Sequence, residues 1–191
     1  MARATWFCVD IECSGPVPAL YDMISLGCVP VWKDSDEWQI GEGLYLEFRP
    51  EAPGVDPGAM AVNGLDLERL RREGLPMADG LRTLSEFVAG ALRPKSKPVF
   101  VGHNAPFDWS FVSYAYQAAD QVNPFGYKAL DTKALSMGIL GLHWFDSNKE
   151  ELDKRLQLPP VARDRVHRAD YDAWYQAHIL VQLLQRMPGI S

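Results

Sequence analysis

The stretch Thr5-Trp6-Phe7-Cys8-Val9-Asp10-Ile11-Glu12 constrains this chain more than any other. Its β-branched and aromatic residues, followed by Ser14-Gly15-Pro16, spell a strand that ends in a turn. Side chains alternate along a strand, so Asp10 and Glu12 project on one face. Two carboxylates side by side at the end of a mostly apolar strand repel each other by roughly 4 kcal/mol at about 4 Å and an effective dielectric of 20. Either a cation joins them or one keeps its proton.

Downstream, Met23 to Trp32 reads as a second strand and Gly43 to Phe48 as a third, with Lys33-Asp34-Ser35-Asp36 as a polar turn between them. Three strands ahead of any helix predict an antiparallel meander, not strict βαβ alternation. A Pro/Gly-rich crossing, Pro50 to Gly58, leads to helical sequence, where Met77, Leu81, Leu84, Val88 and Ala91 recur at amphipathic spacing. Pro98-Val99-Phe100-Val101-Gly102 is short and apolar, as suits a buried parallel strand. It hands the chain to a helix opened by Pro106, whose missing N–H would be unpaired in a first turn anyway. A strand near Tyr127 to Leu130 runs through Asp131-Thr132 into another helix, and Ser147 to Glu150 has the S-x-x-E form of a capping box. A last helix is expected from Ala169 to about Arg186, with Ala173, Ala177, Leu180 and Leu184 toward the sheet and Pro188-Gly189 at its end. At 191 residues without an internal repeat, the stretch 1–191 is expected to form one domain.

The net charge of -6 argues against a protein that coats long duplexes, because such binding rests on many Lys and Arg contacts to phosphate. An enzyme that grips a few nucleotides stays open. Basic residues gather at Arg69, Arg71 and Arg72, at Arg93, Lys95 and Lys97, and at Arg163, Arg165 and Arg168. The first two groups read as solvated surface; the third flanks His167, where it can steer substrate. No apolar run approaches the ~20 residues that span a bilayer. Cys8, Cys13 and Cys28 match no zinc spacing and read as free thiols, so a cytoplasmic location without membrane contact is expected.

Asp108 falls near the N-terminus of its helix and Asp172 in the first turns of the last one, where the helix dipole favours an ionised carboxylate by roughly 0.3 to 1 kcal/mol. With Asp10 and Glu12 they form a set of hard oxygen ligands with no Cys/His cluster, which selects Mg2+ or Mn2+ over Zn2+. Two such ions about 3.5 to 4 Å apart can hold the attacking water and the departing oxygen of a phosphodiester in line. His167, in the loop before the last helix, is the residue type whose charge changes near neutral pH and is suited to take that water's proton.

Three motifs then carry a resemblance: Asp10-Ile11-Glu12 with Ser14-Gly15, Gly102-His103-Asn104-Ala105-Pro106-Phe107-Asp108, and His167-Arg168-Ala169-Asp170-Tyr171-Asp172-Ala173. In this order and at these separations the chain resembles the DEDDh, or DnaQ-like, 3'-to-5' exonucleases over roughly residues 5 to 185. The resemblance implies an α/β, RNase H-like fold: a mixed five-stranded sheet, its first three strands antiparallel, with helices on both faces. It also implies that Asp10, Glu12 and Asp172 share one metal ion, that Asp10 and Asp108 serve a second, and that His167 is the general base. The expected partner is the 3' end of a single-stranded nucleic acid, shortened by 5'-mononucleotides, and a homodimer is plausible by analogy. Met60 to Leu65 is similar to the family stretch that packs on the terminal base, which nominates Val62 and Asn63 for substrate binding. Asn63 stands where the family has histidine, and Cys13-Ser14 stands where two threonines are common, at the contacts to the terminal sugar.

The remaining residues take simpler assignments. Asp170 supports the helix start, Asp131 serves the strand-to-helix turn, and His103 and Asn104 organise the loop of Asp108, with Asn104 also able to approach substrate. Trp109 and Phe111 read as core, whereas Phe107 is the aromatic best placed to stack on an unpaired base. Two other functions compete with a free-standing exonuclease: a proofreading subunit of a polymerase, and an end-binding protein that has lost catalysis.

Overall fold

A computed structural model describes residues 3–187. Strand β1 (Arg3–Cys13) is central: β2 (Met23–Asp34) pairs with it antiparallel, with Asp10 opposite Gly27 and Glu12 opposite Ser25. The polar turn predicted at 33–36 narrows to Ser35-Asp36, since β2 runs on to Asp34 and pairs there with β3 (Glu37–Ile40). Ser35 takes the positive φ of 53° that this tight reversal needs.

The third strand of the expected meander is present as β4 (Leu44–Glu47), on the Ser25–Cys28 half of β2. The sheet therefore has six strands where the resemblance implies five, because β3 and β4 divide the length of β2 between them. The break is at Gly41-Glu42-Gly43. Gly41 N–H bonds Pro30 O, and a Cβ at Gly41 would lie 2.8 Å from the Trp32 ring, so a side chain there would push the indole aside.

Asp56 and Asp66 cap two short helices, α1 (Pro57–Asn63) and α2 (Leu67–Glu73), and α3 (Met77–Ala91) buries Leu81, Leu84 and Val88 as its spacing predicts. β5 (Ser96–Gly102) adds parallel to β1 and feeds α4 (Pro106–Ala118); β6 (Ala129–Asp131) adds parallel to β5 and feeds α5 (Thr132–Leu140), capped by Asp131. The predicted Ser147 cap shifts by one residue. Asn148 caps α6 (Lys149–Arg155) by accepting from Glu151 N, while Ser147 Oγ donates back to Trp144 O. The chain then enters α7 (Ala169–Leu184), and the predicted stop at Pro188-Gly189 lies outside the described residues. Among the described residues, no helix is long and apolar enough to cross a membrane.

Both faces of the sheet are covered, and strand parity decides what each receives. Phe7, Val9 and Ile11 pack into one core with Leu81, Leu84 and Phe111 from α3 and α4. Cys8 points the other way, into a second core with Ala173, Ala177, Leu180 and Leu184 of α7. Asp10 and Glu12 share the parity of Cys8 and so rise on the α7 side. The N-terminus of α7 lies directly on Gly27, where a Cβ would come 2.0 Å from Ala169 O.

Candidate active site

The C-terminal end of β1 gathers side chains from distant parts of the chain. Asp108, in the first turn of α4 and only 6% exposed, accepts from Ile11 N at 3.2 Å, so motif two is tied to the backbone between Asp10 and Glu12. Asp172, also 6% exposed, stands in the first turn of α7, and its Oδ2 accepts from His167 N at 2.9 Å. That bond holds His167 at φ 65°, a left-handed conformation more common for His than for bulky or β-branched residues. The His167 side chain remains exposed. Ligand atoms of Glu12, His167 and Asp172 all lie within 4.8 Å of one another.

The carboxylates are crowded out of water. Burial, together with the Asp172 charge, raises the Asp10 pKa to about 6 against the opposing pull of Lys149. Burial, then Asp10 and Asp172, push Glu12 up to about 9, and burial followed by the Asp10 charge holds Asp108 well above the usual carboxylate range. Such a cluster favours a multivalent cation, and its hard oxygen donors with one imidazole fit Mg2+ or Mn2+.

One charged residue of this site escapes sequence reasoning. Lys149, the first residue of α6, places Nζ 3.2 Å from Asp10 Oδ1 and 3.3 Å from Asp172 Oδ1. Burial works against its charge, yet Asp10, Asp172 and Asp108 hold its pKa above the ordinary lysine value. His103, beneath the motif-two loop, is pushed down to about 3 by burial and by Lys149 and Lys133, and is neutral. Its Nδ1 pairs with Thr132 Oγ1 at 3.0 Å.

A cleft of about 350 Å³ opens beside Glu12, lined by Cys13, Val62, Asn63 and Phe107 among others. Val62 is 56% and Phe107 37% exposed. Asn63 Nδ2 donates to Cys13 O, fastening the end of α1 to β1. Ser14 and Asn104 do not line this cleft. Ser14 Oγ donates to Gly54 O and accepts from Asp22 N, which anchors the crossing that carries α1. Asn104, at φ 65°, turns the loop while its N–H donates to Asp131 Oδ1. Asp131 thus braces motif two as well as capping α5. Asp170 makes no cap; its carboxylate is held by Arg165 and Arg168. Trp109 packs edge-on to Phe100 and Phe111 is buried, as expected of core.

A mixed sheet of this order, with acids at the end of its central strand and a histidine above them, is that of an RNase H-like nuclease. No protein-family model matches the chain. It is 36% identical over 171 residues to the 3'-5' DNA exonuclease Cap18 of Escherichia coli, spanning 90% of this chain and 87% of that protein. To ribonuclease T of Yersinia enterocolitica it is 28% identical over 186 residues, spanning 93% and 83%. Among solved structures, the nuclease domain of 3'hExo, a DEDDh family member bound to rAMP, superposes with a TM-score of 0.81 at 15% identity, covering 99% of this chain and 96% of that one. The E. coli ExoI–ssDNA complex gives 0.71 at 17% identity, covering 98% and 42%. The chain belongs to the DEDDh family of 3'-to-5' exonucleases and is a metal-dependent phosphodiester hydrolase.

Proposed function

We propose that residues 1–191 form one exonuclease domain that removes 5'-mononucleotides from the free 3' end of single-stranded DNA, and of RNA less readily, with Mg2+ or Mn2+. The observation that carries this reading is the meeting of Asp10, Glu12, Asp108, Asp172 and His167 at one end of β1. The 36% identity to a protein named a DNA exonuclease, against 28% to ribonuclease T, supports placing DNA first.

Asp10, Glu12 and Asp172 would hold one ion, and Asp10 with Asp108 would serve a second. When bound, the ions supply Lewis-acid activation of water and neutralise charge that develops on the phosphate. His167 takes the proton of the attacking water at its exposed ring, while its backbone N–H keeps it beside Asp172. Val62 and Phe107 hold the last base between them in the cleft beside Glu12, and the Cys13–Asn63 contact sets the cleft floor. A cleft of this size takes one unpaired base, which selects single-stranded ends.

The test is to incubate matched DNA and RNA oligonucleotides, with free or blocked 3' ends, with Mg2+, Mn2+ or chelator. Stepwise shortening from free 3' ends alone, dependent on metal and faster on DNA, is expected. Tight binding without shortening would sink the catalytic reading, and equal or faster loss of RNA would overturn the DNA ranking.

A further inference from the structure

Lys149 reaches the acid cluster from a segment that none of the three motifs includes, and it takes hold of Asp10 and Asp172 through one oxygen of each. Those are two of the carboxylates that the proposed metal reading needs. An ammonium within hydrogen-bonding distance of both oxygens and a doubly charged ion bound to the same carboxylates would repel each other at very short range in a poorly hydrated site. We infer that Lys149 is a positioning residue that competes with the first divalent ion for Asp10 and Asp172, leaving the cluster as the ion enters and returning as it departs. This inference rests on the acid cluster being a divalent-metal site.

The surroundings permit that exchange without rebuilding the fold. The backbone of α6 is fixed: Asn148 caps it, Leu152 is fully buried, and Tyr175 Oη donates to Asp153 Oδ1 at 2.6 Å. The lysine stem, by contrast, lies on the wall of a cavity of about 400 Å³ shared with Glu150, Asp153, Arg163 and His167. Glu150 and Asp153 line the same cavity and offer carboxylates to a displaced ammonium. A four-carbon stem with free torsions suits this; the planar fork of an arginine does not.

Two measurements test the exchange. Mn2+ binding, followed by the EPR signal of the free ion, should be about tenfold or more tighter for Lys149→Met than for the unaltered protein, because the variant removes a like charge at close range. Asp10→Asn should bind weakly and marks the site. Equal or weaker binding by Lys149→Met overturns the competition, whereas absence of binding by both proteins sinks the metal reading itself. The second measurement needs no variant: labelling of the unaltered protein with an amine-reactive reagent, read by mass spectrometry. Lys149 should be modified several-fold faster with saturating Mg2+ than with chelator, relative to exposed lysines such as Lys154. Unchanged or slower modification overturns the proposal.

Discussion

The site is made of two regions built to different standards. On one side Asp10 and Glu12 end a central strand, with Asp108 bonded to the backbone between them and buried cores on both faces of β1. On the other, the segment from Asn148 to Arg168 supplies Lys149 and His167 from a short capped helix and a largely exposed turn. Polar contacts join that segment to the rigid half: His167 N–H donates to Asp172 Oδ2, Ala162 N–H to Tyr171 Oη and Tyr175 Oη to Asp153 Oδ1. Metal ligands must hold their oxygens within tenths of an ångström, and packed strands and helix starts do so. Groups that pass a proton or move aside for an ion need access and free torsions, which a loop supplies.

The sharpest division between the halves is expected from Asp10→Asn. Losing a shared ligand should remove several kcal/mol of transition-state stabilisation, a rate loss above roughly a thousandfold, while the circular dichroism spectrum stays native. Turnover near the unaltered rate would contradict the metal assignment. His167→Ala should cost roughly 10²- to 10⁴-fold at neutral pH, with the deficit shrinking as hydroxide rises. A pH–rate profile of unchanged shape would remove the base role and leave the exposed turn without a chemical task.

Much of the rigid half is legible in the sequence because its information is local. Strand parity alone puts Asp10 and Glu12 together, and the apolar spacing of Ala173, Ala177, Leu180 and Leu184 turns α7 toward the sheet. The exposed half resists such reading. Lys149 follows a capping residue and belongs to no motif; what aims it is the packing of Leu152 and Leu156 against Tyr171 and Tyr175, known only once α6 meets α7. Ser14 has long-range partners for a related reason. Its hydroxyl donates to Gly54 O and accepts from Asp22 N, partners 40 and 8 residues away. The split of the third strand likewise falls at Gly41, beside the Trp32 ring.

Gly27→Ala breaks the comparison from the opposite direction, because it disturbs the rigid half without touching a ligand. The new Cβ would meet Ala169 O at 2.0 Å and Ala169 C at 2.4 Å, both backbone, so α7 has to lift off β2 opposite Asp10. Overpacking of this kind costs about 1 to 3 kcal/mol, or roughly 2 to 12 °C in Tm for a chain of this size. Metal affinity should fall with stability, since Asp172 rides on the same turn. A stable variant with native metal affinity would mean that the contact between α7 and Gly27 does not position the site.

The pH dependence of stability tests the rigid half alone. Unfolded carboxylates release their protons near pH 4, while Glu12 in the folded protein holds its proton to about 9 and Asp10 to about 6. Between those values the native state binds more protons than the unfolded chain, so stability must fall as pH rises. The contribution is complete below about pH 4 and is gone once pH has passed about 9. In chelator, Tm should therefore decline steadily from pH 5.5 to 9, each pH unit between the two pKa values costing up to about 1.4 kcal/mol per group. Saturating Mg2+ should flatten or reverse that slope, because ions bind better as their ligands lose protons. Glu12→Gln, which has no proton to lose, should flatten it in chelator. A Tm in chelator that is level across this range, or that rises with pH, would mean the acids at the end of β1 are already compensated by Lys149 and need no ion.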